Sequence, residues 1–219
     1  MKIAIIHDYL NEAGGAERVL RVLADMYPTA PIYTAFIKNG TARAMFMDRE
    51  LHESSWGWIL KSGRLYSYLR FLLPWIWGSI DLSSYDLVIT STSGGYIARG
   101  FKVGEKTRVV AYCHTPPKWL YGYETPTGAA NKWWGRLFNY VFGPPLRYFD
   151  YISAQRVNTW IANSQEVALR IKKFYRREAR VVYPPIEIKS GVAMEKDKKG
   201  DYFLLVTRVT GAKGIVEAL

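Results

Sequence analysis

The sequence predicts a doubly wound, parallel α/β sheet, and three observations carry that expectation. Short apolar runs of strand length alternate with segments of helical period, the pattern of repeated strand, helix, strand units. Runs such as Arg108-Val-Val-Ala-Tyr-Cys113 and Asp86-Leu-Val-Ile-Thr90 are apolar at nearly every interior position, as strands covered on both faces require. Two strands end at proline pairs, Pro116-Pro117 and Pro184-Pro185, which forbid their continuation.

In chain order, Lys2 to His7 is the first strand, and Asp8-Tyr-Leu-Asn-Glu-Ala-Gly-Gly15 is a loop into the first helix. Val19, Val22, Leu23 and Met26 share one face of that helix, while Glu17, Arg18, Arg21 and Asp25 fall elsewhere. Pro31 to Ile37 is a second strand, and the stretch from there to Leu51 has no clear period. Between Trp56 and Ile80, Leu65, Tyr68, Leu69, Leu72 and Ile76 line a helical face that Pro74 ends or kinks. Asp86 to Thr90 is a third strand, followed by the small-residue turn Ser91-Thr-Ser-Gly-Gly95. The fourth is the run from Arg108. Trp134, Leu137, Phe138 and Val141 mark a helix that Pro144 and Pro145 terminate, with a further helical piece over Leu146 to Val157. Thr159 to Ala162 is a fifth strand. Asn163 caps the next helix, with Glu166 three residues on as in a capping box, and Ala168, Ile171 and Tyr175 face inward. Ala179 to Tyr183 is a sixth strand. The expected division is a sheet domain over 1–188, a polar linker over 189–201, and over 202–219 the start of a further domain, opened by the strand Tyr202 to Val206.

Composition narrows the function. In 219 residues, thirty Lys+Arg against nineteen Asp+Glu give a formal charge of +11, which favours an anionic partner: a nucleotide, a pyrophosphate-linked lipid, a membrane surface or nucleic acid. Nucleic acid is disfavoured, because the sequence has no recognisable reading helix, RNP-like strand or zinc pattern. The single cysteine, Cys113, excludes an intrachain disulfide and a cysteine-based zinc site, and fits a reducing compartment. Met1 to His7 is too short for the apolar region of a secretory signal.

Three stretches carry candidate chemistry. His114 stands at the carboxyl end of a buried strand, the edge where open α/β sheets collect ligands; a lone histidine there also suits a plain hydrogen bond to a loop. Gly14-Gly15, between a strand and a helix amino terminus, suits a phosphate because glycine lets the backbone approach and the helix end presents free N–H groups; the same pair also suits a plain tight turn. Trp56, Trp58, Arg70, Trp75 and Trp77 belong to an aromatic, basic segment too short and too interrupted to span a bilayer. Such a segment suits either a membrane interface or an ordinary helix packed on the sheet. Asp8 and Glu17 lie near the same edge as His114, but a helix amino terminus favours a carboxylate in any case, so neither is assigned to catalysis.

Gly14-Gly-Ala-Glu-Arg18, Tyr112-Cys-His-Thr-Pro116, Ala162-Asn-Ser164, Arg170-Ile-Lys172 and Val182-Tyr-Pro-Pro-Ile186, taken in order, resemble the acceptor-side domain of family 4 glycosyltransferases. The branch they most resemble is the mannosyltransferases of polysaccharide and O-antigen assembly. The resemblance covers most of residues 1 to 188. It implies the GT-B architecture of two Rossmann-like domains, with the acceptor on the first and the nucleotide sugar held chiefly by the second. It implies retaining, metal-independent hexosyl transfer with no cofactor, from a GDP- or UDP-sugar to a glycolipid or polyisoprenyl-linked acceptor. The enzyme would sit in the cytoplasm, peripheral to an anionic membrane surface. It gives His114 a place beside the reacting sugar, and Gly14, Gly15, Arg208 and Lys213 places at the donor diphosphate. Two departures stand out: Ile215 to Leu219 follows Lys213-Gly214 sooner than the family's helix does, and the acidic motif that faces the sugar is absent. A non-catalytic glycolipid- or membrane-binding module of the same ancestry is the alternative, and the chain alone is expected to be inactive.

Overall fold

The structure, a computed structural model, describes residues 1–38, 40–61, 63–123 and 133–186. The expected linker and the start of a further domain, with Arg208 and Lys213, lie outside the described residues. Seven strands form one sheet, parallel at every pairing: β1 (Ile3–His7), β2 (Ile32–Thr34), β3 (Leu51–Glu53), β4 (Leu87–Thr92), β5 (Arg108–Cys113), β6 (Thr159–Ala162) and β7 (Ala179–Val181). Their order is β3-β2-β1-β4-β5-β6-β7. The doubly wound sheet is therefore as expected, with β3 as an addition. Leu51, His52 and Glu53 are each half-buried at the sheet's edge, so the apolar signal of a central strand is missing there.

Alternation along β1 divides the core. Ile5 packs with Leu20, Ala24 and Ile32 on one face, while Ala4 and Ile6 join Trp77, Val88, Ala111 and Trp160 in a larger cluster. Helix α1 (Gly15–Met26) turns Val19, Leu20 and Ala24 inward and leaves Val22 and Met26 exposed, so its buried face is rotated from the expected one. After α2 (Thr41–Ala44), the aromatic segment breaks into α3 (Gly57–Lys61), a 3-10 stretch (Gly63–Leu72) and α4 (Leu73–Gly78), with Pro74 in the first turn of α4, where its missing N–H costs nothing.

This break corrects the expectation of one contact surface over that segment. Trp77 is fully buried and its indole N–H donates to the Tyr96 carbonyl at 2.7 Å, so it is a core residue. Trp56 packs partly buried against the same core, and the Arg70 guanidinium lies 4.7 Å above the Trp119 ring. Trp58 and Trp75 are exposed. A short helix phases Leu73, Ile76 and Trp77 inward and so turns Trp75 outward.

Helix α5 (Trp133–Gln155) runs through Pro144 and Pro145 instead of stopping at them. The carbonyls four residues back, of Tyr140 and Val141, lose their partners within the helix, and both residues are exposed. Helix α6 (Gln165–Tyr175) is capped by Ser164, whose hydroxyl accepts from the Val167 N–H; Asn163, the expected cap, bonds Ser164 instead. Beneath α5 and α6, Arg99 bonds Asp150 and the Tyr175 hydroxyl, and Tyr121 donates to the other Asp150 oxygen at 2.7 Å. This buried charge pair ties the loop after β4 to both helices.

Candidate active site at the carboxyl edge of the sheet

Strand order reverses between β1 and β4, the place where such sheets usually take their ligands. The loops after β1, β4 and β5 meet at this point. Asp8, directly after β1, is fully buried, and its carboxylate organises the edge. Oδ2 accepts from the backbone N–H groups of Ser93 (3.1 Å), Gly95 (2.9 Å) and Tyr96 (3.1 Å) and from the Ser93 hydroxyl (2.8 Å). Oδ1 accepts from the Ala98 N–H at 2.9 Å and the Thr92 hydroxyl at 3.4 Å. The Ser91-Thr-Ser-Gly-Gly95 turn thus curls around an internal anion, and these donors are not free for a phosphate.

The curl needs unusual backbone. Gly94 has φ +76°, and a Cβ there would lie 2.5 Å from the Thr115 carbonyl oxygen and 2.8 Å from that of Pro116. Only glycine lets the two loops touch. Ile97 sits at φ +52°, a strained value for a β-branched residue, imposed by the chain's return toward Asp8.

A second set of polar groups lies beside this loop. His7 pairs in register with Ser91, and its Nδ1 lies 3.0 Å from the Ser91 carbonyl oxygen and 3.2 Å from the Ser91 hydroxyl. The same hydroxyl lies 3.0 Å from Nε2 of His114. On the far side of His7, Nε2 is 3.6 Å from Glu17 Oε1, while Glu17 Oε2 accepts the Gly14 N–H at 2.9 Å. Burial works against the Glu17 carboxylate, but His7 and the backbone N–H groups outweigh it and hold the carboxyl below its ordinary value. For His114, burial pulls the imidazole down to about 4; His7 adds to the effect, and Asp8 and Glu17 oppose it. At neutral pH His114 is therefore an uncharged hydrogen-bonding group.

The expected site residues come together only in part. His114 and the Gly14-Gly15 turn face the same edge, joined through Ser91, His7 and Glu17. Gly14 caps α1 in extended backbone, with its N–H taken by Glu17. Gly15 has no positive φ, and a Cβ on it would meet nothing within 4 Å, so the turn itself does not demand glycine there. What it leaves is open space before a first helical turn whose N–H groups have no partner within the helix. Trp56, Trp58, Arg70, Trp75 and Trp77 belong to the separate segment described above. His7 and Ser91 were not singled out in the sequence. Among the described residues no group of three or more His, Cys, Asp or Glu side chains comes together as a metal site.

The depressed His114 value fixes a pH dependence. Histidine in an unfolded chain titrates near 6.5, so the unfolded state takes up this proton first as pH falls. The stability due to a neutral buried His114 is complete above about pH 6.5 and is gone below about pH 4, a loss on the order of 3 kcal/mol. Urea unfolding between pH 7 and 4 should show a steeper fall for the natural protein than for His114→Gln. Equal slopes would contradict the burial assigned to this ring.

No curated protein matches the chain. Among solved structures it is similar to HepE from Anabaena in complex with UDP and glucose, and to the same protein with UDP, each at TM-score 0.46 and 16% identity over 85% of this chain and 45% of that one. The HepE complex with UDP-glucose gives TM-score 0.46 and 14% identity over the same shares of the two chains. The chain thus spans 45% of the length of these structures. The family model described as Glycosyltransferase Family 4 matches residues 13–190, the great majority of the sequence and all of the sheet after β1. The chain belongs to glycosyltransferase family 4.

Proposed function

We propose that this chain is the acceptor-side domain of a retaining GT-B hexosyltransferase that moves a sugar, mannose by sequence resemblance, from a nucleoside diphosphate to a membrane-linked glycan or lipid. The observation that carries this reading is the uncharged His114 at the switch point of the sheet, hydrogen-bonded through Ser91 to His7, with Glu17 of the first turn of α1 3.6 Å beyond. A helix amino terminus favours an anion, so the first turn suits the donor diphosphate. His114 suits a sugar hydroxyl, because a neutral imidazole gives a hydrogen bond without adding charge to the site.

In such a transfer the bond from the anomeric carbon to the phosphate oxygen breaks, and a bond from that carbon to the acceptor oxygen forms on the same face. The acceptor's proton passes to the departing phosphate oxygen. No metal enters this scheme. Arg208 and Lys213 are the cations that the resemblance assigns to the diphosphate. A chain relying on His114 and one helix end holds a nucleotide sugar weakly, since few contacts must offset the cost of immobilising it.

The test is radiolabelled transfer to membrane extract, with GDP-mannose and UDP-glucose as donors, by a form carrying a complete donor domain. His114→Ala should lower turnover by roughly a hundredfold or more, as removal of one hydrogen bond to developing charge does. Natural turnover in the variant would remove His114 from the site. Acceptor binding without transfer from any donor would instead favour a binding module.

We also propose that the domain meets the cytoplasmic face of an anionic membrane, chiefly through α5. Trp133, Leu137, Tyr140, Val141, Tyr148 and Ile152 recur at helical spacing, and each is between 37% and 83% exposed. Arg136 and Lys118 are exposed cations, and the chain's charge of +11 suits acidic headgroups. Phe142 stacks on Phe71 at 5.0 Å, which joins α5 to the segment bearing the exposed Trp75. No described helix is long and apolar enough to cross the bilayer. Co-sedimentation with phosphatidylglycerol vesicles should be strong at low salt and weak at high salt. Replacing Trp133 and Tyr140 together by Ser should weaken it at least about tenfold. Absence of binding at low salt, or full binding by the double variant, would rule out α5 as the contact.

A further inference from the structure

Hydrogen bookkeeping along the chain Glu17, His7, Ser91, His114 defines one arrangement. The Ser91 carbonyl only accepts, so the His7 Nδ1 facing it at 3.0 Å carries a hydrogen and donates. The Ser91 hydroxyl oxygen, 3.2 Å from the same Nδ1, takes a share of that hydrogen. Its own hydrogen is then free to point elsewhere, and Nε2 of His114 at 3.0 Å is the one other partner it meets among the described residues. For Ser91 to donate there, Nε2 must be bare. A neutral imidazole with a bare Nε2 carries its hydrogen on Nδ1. The described residues offer Nδ1 no hydrogen-bond partner, and His114 is only partly buried, so that N–H is available to a ligand at this edge.

We propose that Ser91 and His7 are positioning residues that hold His114 in its Nδ1–H tautomer, aiming one N–H donor at the carboxyl edge of the sheet. The arrangement rests on the transferase reading for its purpose but not for its existence. Register creates it: His7 and Ser91 are paired across β1 and β4, Ser91 is paired with Tyr112 across β4 and β5, and His114 lies two residues beyond Tyr112 and so returns to the same face. The His114 backbone N–H is fixed to the Thr92 carbonyl at 2.9 Å, and its ring meets Tyr112 edge-on with centroids 5.1 Å apart. With backbone and ring plane both held, the tautomer is the remaining freedom, and one hydroxyl decides it. The Glu17 carboxylate, which takes the Gly14 N–H, lies 3.6 Å from His7 Nε2, beyond hydrogen-bond reach.

The tautomer is directly observable. In long-range proton–nitrogen correlation spectra of the nitrogen-15-labelled 219-residue protein at neutral pH, His114 should show a protonated Nδ1 and a bare Nε2. Ser91→Ala removes the donor to Nε2 and should shift the ratio toward the Nε2–H form by roughly fivefold, the scale of one net hydrogen bond. Ser91→Thr restores a hydroxyl and should restore the ratio. Neither measurement needs a donor sugar, so the result stands apart from any transfer assay. A wild-type His114 protonated on Nε2, or a ratio unmoved in a folded Ser91→Ala protein, would overturn the proposal.

Discussion

A single buried carboxylate constrains the carboxyl edge of this sheet. Asp8 leaves β1 at the strand reversal and accepts from four backbone N–H groups and one hydroxyl of the loop after β4, and from the hydroxyl of Thr92 at the end of β4. A carboxylate removed from water is costly unless its oxygens are satisfied, and N–H groups turned away from water are costly unless they find an acceptor. Each side solves the other's problem. The solution forces the loop from Ser93 to Ala98 into one closed curl and draws Ile97 to a positive φ. It also brings Gly94 against the backbone of Thr115 and Pro116, next to the histidine.

The position of His114 follows from that curl and from register. β4 presents Ser91, the residue after β5 is His114 and β1 contributes His7, so hydrogen bonds run from His7 through Ser91 to His114, and Glu17 of α1 lies 3.6 Å beyond His7. The ion pair of Arg99 and Asp150 acts further out. It fastens the end of the same loop to α5 and α6, and its burial makes it a joint that is strongly destabilising to break from one side. Asp8 therefore holds the loop on both sides of Ile97, and Asp150 fastens Arg99, directly after Ala98.

Much of this fold was legible because central strands buried on both faces write continuous apolar runs, as β1, β4 and β5 do. The edge strand Leu51–Glu53 writes no such run, and its half-buried histidine and glutamate look like loop. Phase was harder than presence. α1 was evident, yet Leu20 and Ala24, not Val22 and Met26, face the core, and Trp75 and Trp77 sit two residues apart with opposite environments. Pro144 and Pro145 argue locally for a helix end, yet α5 continues through both, where the residues four back, Tyr140 and Val141, are exposed. At the site, His114 stood out because it follows a buried strand at the edge where such sheets collect ligands. His7 and Ser91 did not, since 84 residues separate them and only strand register joins them. The role of Asp8 was hidden for the same reason: its partners exist only once the loop has curled.

Amide hydrogen exchange at that loop tests the central constraint most directly. In the natural protein the N–H groups of Ser93, Gly95, Tyr96 and Ala98 should exchange as slowly as those of β4, although they belong to no strand or helix. Asp8→Asn keeps the shape but turns one acceptor into a donor facing donors. Exchange at these four amides should then rise by roughly a hundredfold, with the amides of β1 and β5 little changed. Unchanged protection in the variant would mean that the curl stands without its carboxylate, and would contradict the organising role assigned to Asp8.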